Sequence, residues 1–415
     1  MLRNAMNDKT YDLVLFGATS FVGKIMCQYM LANYPPGGEV SWALAGRSFT
    51  KLNDLKSSLL QNQADMDIDL ILADASDEQS LLAMCNKAKV VITTVGPYDL
   101  YGEPLIKACV ETGTDYCDLT GEVQWMHKMI EKYEEQAKAS GARITHTCGF
   151  DSIPSDLGVF FLQQHSIKEY GKSCDKVKMR VKAAKGGISG GTVSSIINLV
   201  KQATGDPELR KVVTNPYAVC PKGHVFSARQ HNQTGPEFDQ EYGRWTAPFI
   251  MAGINTRVVH RSNALLNNQY GTEFLYDEAM LTGGRVSATL ISVAIGGFML
   301  GAAIPPTRWV LENLVVPKPG EGPSEKQQNE GFFDLRFVGT NSENDQQNVV
   351  VKVTGDKDPG YGSTAKMLTE TAICLAALSK DDEKGGGFWT PATILGHTLI
   401  ERLESKAGLT FSVLE

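Results

Sequence analysis

The chain is predicted to be an α/β protein: a doubly wound parallel sheet of the Rossmann type over residues 1–150, then a mixed α/β second domain. Three observations predict it. First, apolar runs of strand length at 11–16, 40–45, 68–72, 90–95, 115–119 and 142–147 alternate with helical patterns at 21–33, 50–60, 78–88, 104–112 and 123–140. Strands alternating with helices in this way build parallel βαβ units. Second, the first run breaks into a glycine turn that opens the first helix. Third, after Phe150 the pattern changes to alternating strands and glycine-rich turns, as at 177–183 and 332–338.

The turn reads Gly17-Ala18-Thr19-Ser20-Phe21-Val22-Gly23. A dinucleotide site needs backbone N–H groups brought against a pyrophosphate at a helix N-terminus, and glycines permit that approach. Ser20 stands at the middle glycine position; it is small and can offer a hydroxyl to phosphate, but a positive φ would suit it less well. The second run ends in Gly46-Arg47-Ser48, with Lys51 close behind and no acid before Asp54. An acid at that point would hold a ribose 2′-hydroxyl, whereas a guanidinium and a hydroxyl suit a 2′-phosphate. The expected cofactor is therefore NADP(H). Its expected contacts are Gly17, Thr19, Ser20, Phe21, Val22 and Gly23 in the turn, Arg47, Ser48 and Lys51 at the ribose, and Val95, Gly96 and Pro97 after the fourth run.

Composition narrows the class. At 415 residues the chain exceeds one compact core and suggests two domains. A hydrophobic fraction of 42% with 21% charged residues fits a folded protein, and a net charge of −7 argues against a nucleic-acid surface. Eight scattered cysteines with no C-x-x-C pair indicate reduced thiols and a cytoplasmic setting. Seven histidines without H-x-H or H-E-x-x-H spacing give no reason to expect a metal. Residues 1–10 lack the apolar core of a secretory signal.

The second domain is expected over 151–362, with a hairpin formed by 332–338 and 349–353. Residues 317–331 are rich in Pro, Gly and charge and read as a surface loop. Residues 363–415 are expected to be a helical segment packing back on the first domain, with helices at 363–378 and 391–406. The stretch 286–307 contains no charged residue and lies between Arg285 and Arg308. It admits three readings: a buried or dimer-interface helix, a helix touching a membrane or lipid surface, and a true span.

Candidate chemistry clusters at the predicted strand ends. Tyr98 follows Val95-Gly96-Pro97 at the carboxyl edge and could donate a proton, or simply pack as a turn residue. Asp118 could hold a ribose hydroxyl or cap the next helix, and Glu122 could act at the site or complement that helix's dipole. Asp151, in Cys148-Gly149-Phe150-Asp151-Ser152-Ile153-Pro154, opens a helix at the domain junction and could orient a substrate. A second glycine turn, Lys185-Gly186-Gly187-Ile188-Ser189-Gly190-Gly191-Thr192, lacks Walker spacing and is either a substrate cradle or a tight turn. No tyrosine has lysine four positions later, so the Tyr-x-x-x-Lys pair of short-chain dehydrogenases is absent.

Taken in order, Gly17-x-x-x-Phe21-x-Gly23, Ala45-Gly46-Arg47-Ser48, Val95-Gly96-Pro97-Tyr98, Tyr101-Gly102-Glu103-Pro104, Asp118-x-x-Gly121-Glu122, Cys148-Gly149-Phe150-Asp151-Ser152-Ile153-Pro154-x-Asp156 and Ser189-Gly190-Gly191-Thr192 resemble the saccharopine dehydrogenase-like oxidoreductases. The similar branch includes the mycobacterial trans-acting enoyl reductases and the animal saccharopine dehydrogenase-like protein of lipid droplets. The resemblance runs to Gly387-x-x-Thr390-Pro391 and Leu409-x-Phe411-Ser412-Val413. It implies an NADP-binding Rossmann domain, dimerisation and, in some members, a lipid-related substrate. The expected activity is hydride transfer to a C=C or C=N bond, of a lipid-linked enoyl compound by resemblance, with Tyr98, Asp151 and Glu122 as candidate catalytic groups. The rival expectation is a non-catalytic NADP-binding protein held on membranes or lipid particles through 286–307. Saccharopine dehydrogenase activity is the third, and it lacks a clear arginine cluster in the second domain for a multiply carboxylated substrate.

Overall fold

The computed structural model describes residues 9–61, 65–187, 190–315, 322–380 and 384–414. Six strands open the chain: β1 (Tyr11–Phe16), β2 (Trp42–Gly46), β3 (Asp69–Leu72), β4 (Ala88–Thr93), β5 (Asp115–Cys117) and β6 (Arg143–Thr145). The second domain supplies β7 (Lys176–Lys185), β8 (Glu237–Asp239), β9 (Arg244–Pro248), β10 (Leu275–Leu281), β11 (Phe332–Thr340) and β12 (Val349–Gly355). Two more, β13 (Gly387–Trp389) and β14 (Leu409–Leu414), come from the C-terminal segment.

The expected doubly wound sheet is present, in the order β13-β6-β5-β4-β1-β2-β3 with every pair parallel. Its strand order reverses beside β1, and in such sheets ligands bind outside the carboxyl ends at that reversal. The second sheet is mixed, β14-β12-β11-β7-β10-β9-β8, with β10 and β7 parallel and the other pairs antiparallel. The helix Ile153–Tyr170, buried on most faces, carries the chain from one sheet to the other and packs on β11 and β12.

The differences from expectation have physical causes. The runs at 90–95, 115–119 and 142–147 pass two residues beyond the ends of β4, β5 and β6 into loops where Asp118, His146 and Thr147 are buried and Thr94, Val95 and Leu119 half-buried. Within 317–331, residues 316–321 lie outside the described part; beyond them a short helix, Glu325–Asn329, forms on a capping box of Ser324 and Gln327. The helix Thr364–Ala377 does lie against β1, β4 and β5. The segment at 391–406, however, breaks at Gly396, where φ is +51°, and β13 and β14 appear where only helix was expected. β13, three residues long, is too short for a period of two to show; β14 does alternate in Leu409-Thr-Phe-Ser-Val, and each is held by pairing to a distant strand. The separator at 380–387 includes 381–383, outside the described part.

The uncharged stretch forms one helix, Arg285–Ala303, followed at Pro305 by a short second helix, Pro305–Val310. Within one copy of the chain it is not a buried helix, which leaves a dimer interface, a lipid-contacting helix and a span as its readings. Ala288, Ser292 and Ala302 turn inward, while Val286 (76%), Leu290 (65%), Val293 (66%) and Leu300 (62%) are exposed. Its mean hydropathy reaches 1.9 over 18 residues, enough by length and composition to cross a membrane.

Candidate active site

A cleft of about 1310 Å³ runs along the carboxyl edge of the first sheet and under the second domain. Of the expected cofactor residues, Gly17, Thr19, Ser20, Phe21, Val22, Arg47, Lys51, Val95, Gly96 and Pro97 line it. Gly17 has φ +87°, and an added Cβ would lie 2.7 Å from Thr94 Oγ1. Ser20 takes an ordinary extended conformation, φ −68° and ψ 167°, so the middle of the turn demands no glycine. Its hydroxyl caps the helix Phe21–Asn33 by accepting from Gly23 N–H at 2.9 Å and also meets Thr94 Oγ1 at 2.8 Å. First-turn N–H groups have no partner inside a helix; with Gly23 N–H taken by the cap, those of Phe21 and Val22 remain for a ligand.

Gly23 does not line the cleft. A Cβ there would lie 2.4 Å from Gly17 O, so the glycine lets the helix close onto the turn. Ser48 likewise is a helix cap, accepting from Lys51 N–H, and not a lining residue. Arg47 and Lys51 stand exposed at the rim. Asp74 lies close enough for Arg47 to help hold its carboxyl below the usual range, although the Ser76 N–H and hydroxyl contribute more. This rim offers two cations to a phosphate.

Beyond the glycine turn, the loops after β4, β5 and β6 converge. Tyr98 begins the short helix Tyr98–Tyr101 and is buried against Trp125, ring centroids 5.4 Å apart. Its hydroxyl donates to Thr93 O at 3.1 Å and accepts from Leu119 N–H at 3.4 Å. Burial pushes the phenol well above its usual pKa. A hydroxyl so committed ties two loops together, and the role of proton donor does not fit it. We therefore expect Tyr98→Phe to lower the Tm and leave turnover nearly unchanged, read by thermal unfolding beside NADPH oxidation.

Glu122 is also a binder of loops. Its two oxygens accept from the N–H groups of Tyr98 and Asp99, each at 2.9 Å, and Oε1 accepts from Ser195 Oγ at 2.7 Å. The carboxylate thus serves the N-terminus of Tyr98–Tyr101 and ties it to the second-domain helix Gly190–Gly205, rather than the dipole of its own helix. Asp118 neither caps a helix nor lines the cleft. Buried, it accepts from Tyr116 Oη, His146 Nδ1 and the Thr120 and Thr147 N–H groups, all within 3.0 Å.

Asp151 is different. It lines the cleft, and no hydrogen bond to its carboxyl is found among the described residues. Burial alone raises its pKa to about 7. A Cβ at Gly121 would lie 3.7 Å from Asp151 Oδ2 and 3.9 Å from Met251 Cε, ordinary contact distances, so the carboxyl and the Met251 side chain both border the cleft at Gly121. Of the second glycine turn, Ile188 and Ser189 lie outside the described residues; Gly190 donates its N–H to Tyr361 Oη at 3.1 Å, and Gly190 to Thr192 line the cleft.

Residues 13–144 match the saccharopine dehydrogenase NADP-binding domain family. A Mycobacterium tuberculosis protein provisionally named a trans-acting enoyl reductase is 38% identical over 417 residues, covering 97% of each chain. The chain belongs to the saccharopine dehydrogenase-like oxidoreductases. The trans-acting enoyl reductase of Mycobacterium leprae is 36% identical over 416 residues, covering 96% of each chain. In fold the chain is similar to the L-Glu-forming saccharopine dehydrogenase of Saccharomyces cerevisiae, with a TM-score of 0.53 over 98% of this chain and 100% of that one at 10% identity. It is an NADP-dependent oxidoreductase.

The saccharopine dehydrogenase-like cleft has a second wall that sequence reasoning missed. Glu278 on β10 and Tyr276 beside it face Asn255 of the helix Ala252–Leu265. Glu278 accepts from Tyr276 Oη at 2.7 Å and from Asn255 Nδ2 at 2.9 Å, and Asn255 reaches Ser152 and Ser155 at 3.1 Å each. Burial raises the Glu278 pKa to about 7. The available signal was Asp277-Glu278 within Phe274-Leu-Tyr-Asp-Glu-Ala-Met-Leu281: adjacent acids inside an otherwise apolar strand need partners.

Proposed function

We propose that this oxidoreductase reduces the C=C bond of an enoyl compound, with Asp151 delivering the proton. One observation carries the proposal: Asp151 is a cleft carboxyl without a hydrogen-bond partner among the described residues, and burial raises its pKa to about 7, so it holds a proton near neutrality. Bound NADPH supplies the hydride. The proton completes the saturated product, and Asp151 regains it from water through the open cleft. Glu122 and Tyr98 keep the neighbouring loops in place, so the reacting bond meets a preformed floor at Gly121. The names of the relatives favour an enoyl substrate over an imine. The test is stopped-flow oxidation of enzyme-bound NADPH with enoyl thioesters and cyclic imines. Oxidation by the enoyl set is expected; oxidation by the imines alone overturns the reading.

A lipid-linked substrate and a lipid-facing surface belong to the same proposal. Met299, on the exposed apolar helix Arg285–Ala303, also lines the cleft, joining the apolar surface to the substrate space. Arg285 stacks over Trp245, 5.4 Å from the ring centroid, at one end, and Arg308 with the exposed Trp309 marks the other. Such pairs favour a membrane interface. The protein should float with anionic liposomes, and Leu290→Glu with Val293→Glu should abolish flotation. Flotation together with no turnover on any substrate would favour the rival reading, a non-catalytic NADP-binding protein on lipid surfaces. A concentration-dependent dimer lost in the same variant, without flotation, would assign the helix to a second copy.

A further inference from the structure

Several arginines set into this fold have acidic partners. Arg143 pairs with Asp115, Arg180 with Asp239 and Asp277, Arg261 with Glu134, and Arg402 with Glu370. Arg257, on the helix Ala252–Leu265, has no carboxylate partner among the described residues. Its guanidinium donates to Thr256 Oγ1 at 3.0 Å and to Val213 O at 2.9 Å, and its Nε is buried without any partner. Burial lowers its pKa to about 10, with no acid to raise it back, so it remains charged at neutral pH. The nearby His260 is kept neutral by burial and by this guanidinium, to about 3, and adds no competing charge.

A charge withdrawn from water without a counterion is costly, and such groups are usually paired or await an ionic ligand. The Val213 carbonyl, in the last turn of the helix Pro207–Thr214, supplies only the partial charge of a helix end. Arg257 also lines the cleft, as does Thr214, the residue after its Val213 partner.

We propose that Arg257 is the anion-binding residue of the substrate half of the cleft, pairing with a carboxylate or phosphate carried by the substrate. Arg257 stands six residues from Met251, about 9 Å along the helix axis, and the Met251 side chain borders the floor beside Asp151. The anion therefore sits more than a helical turn from the reacting bond, where it fixes which end of the substrate lies under Asp151. The proposal rests on the reading that substrate occupies this cleft, and not on the reaction being an enoyl reduction.

Two sources share the chemistry: an acid on the substrate's own chain, or the phosphate of a pantetheine arm. The test is calorimetric binding to the NADP⁺-loaded protein of three probes: a trans-2-enedioic monothioester, crotonyl-pantetheine 4′-phosphate and the neutral crotonyl N-acetylcysteamine thioester. A charge-assisted contact predicts that Arg257→Gln weakens at least one anionic probe by roughly 10- to 150-fold, with the neutral probe and NADP⁺ unchanged. Arg257→Lys should restore part of the loss. Preference for the enedioic probe assigns a substrate acid, and preference for the phosphorylated probe a carrier arm. Equal weakening of all three probes, unchanged anion binding in a folded variant, or no preference of the native protein for an anionic probe over the neutral one overturns the proposal. Anion binding without turnover would leave it standing and sink the enoyl-reductase reading alone.

Discussion

Replacing Asp151 by Asn is expected to lower single-turnover hydride transfer by roughly 10²- to 10⁴-fold, the range for loss of a positioned general acid. The amide keeps the shape and has no proton of comparable acidity to give. NADPH affinity should stay nearly constant, because Asp151 is not among the residues expected to hold the cofactor. In the native enzyme the rate should fall as pH rises through about 7, where the carboxyl ionises. The variant should lose that limb of the profile. A stability change of known sign accompanies the loss. An acid whose pKa rises on folding contributes stability that is complete below the ordinary carboxylate pKa and is lost as pH rises through the folded value. Asn cannot ionise, so the Tm of the variant should overtake the native Tm between about pH 4 and pH 7 and stay ahead at pH 8. Asp156 and Glu278 also have pKa values raised to about 7 by burial, but both remain in the variant, so the difference isolates Asp151. A variant with native turnover would return the proton to water, and an unchanged Tm gap across that range would show that the carboxyl is not desolvated.

The sequence made the first sheet legible because its first six strands alternate with helices along the chain, and the glycine turn sits where the strand order reverses. Ser20 was read with the wrong constraint. The turn places positive φ on Gly17 and leaves Ser20 extended, so what looked like a weakened motif is a helix cap. The candidate acids were found by position but not by role. Spacing puts Tyr98, Glu122 and Asp151 on one sheet edge; only the hydrogen bonds separate the two that hold loops from the one left free. Glu278 is signalled only by adjacent acids in an apolar strand, and Asn255 and Arg257 carry no local signal. They lie on elements of the second domain whose neighbours are set by long-range pairing of β10 with β7 and β9, which no local pattern encodes. The same holds for β13, three residues long, whereas the alternation Leu409-Thr-Phe-Ser-Val was a legible sign of β14.

Arg47→Ala should weaken NADP(H) by about 10- to 150-fold while changing NAD(H) little, since a charge-assisted contact to phosphate contributes roughly 1.5–3 kcal/mol. The guanidinium stands at the carboxyl end of β2, beside the cleft, and the following Ser48 is occupied as a helix cap. That leaves Arg47 and Lys51 as the cations available to a 2′-phosphate on this rim. Because both are exposed, their contribution is screened, so the cofactor difference should shrink as salt is raised from 0.01 to about 0.5 M. Arg47→Lys should recover charge but not the two-pronged geometry, and so restore only part of the preference. Loss of Arg47 also removes a positive neighbour of Asp74, whose carboxylate would then face the 2′-phosphate uncompensated. Repulsion from Asp74 adds to the missing attraction, which places the expected loss toward the upper end of the range. The double variant Arg47→Ala with Asp74→Asn should recover part of the NADP(H) affinity and leave NAD(H) where it was. Fluorescence titration of NADPH and NADH against the three variants reads all of these differences. Equal losses for the two cofactors would remove Arg47 from the phosphate contact and shift that role to Lys51, whose own alanine variant would then carry the full discrimination.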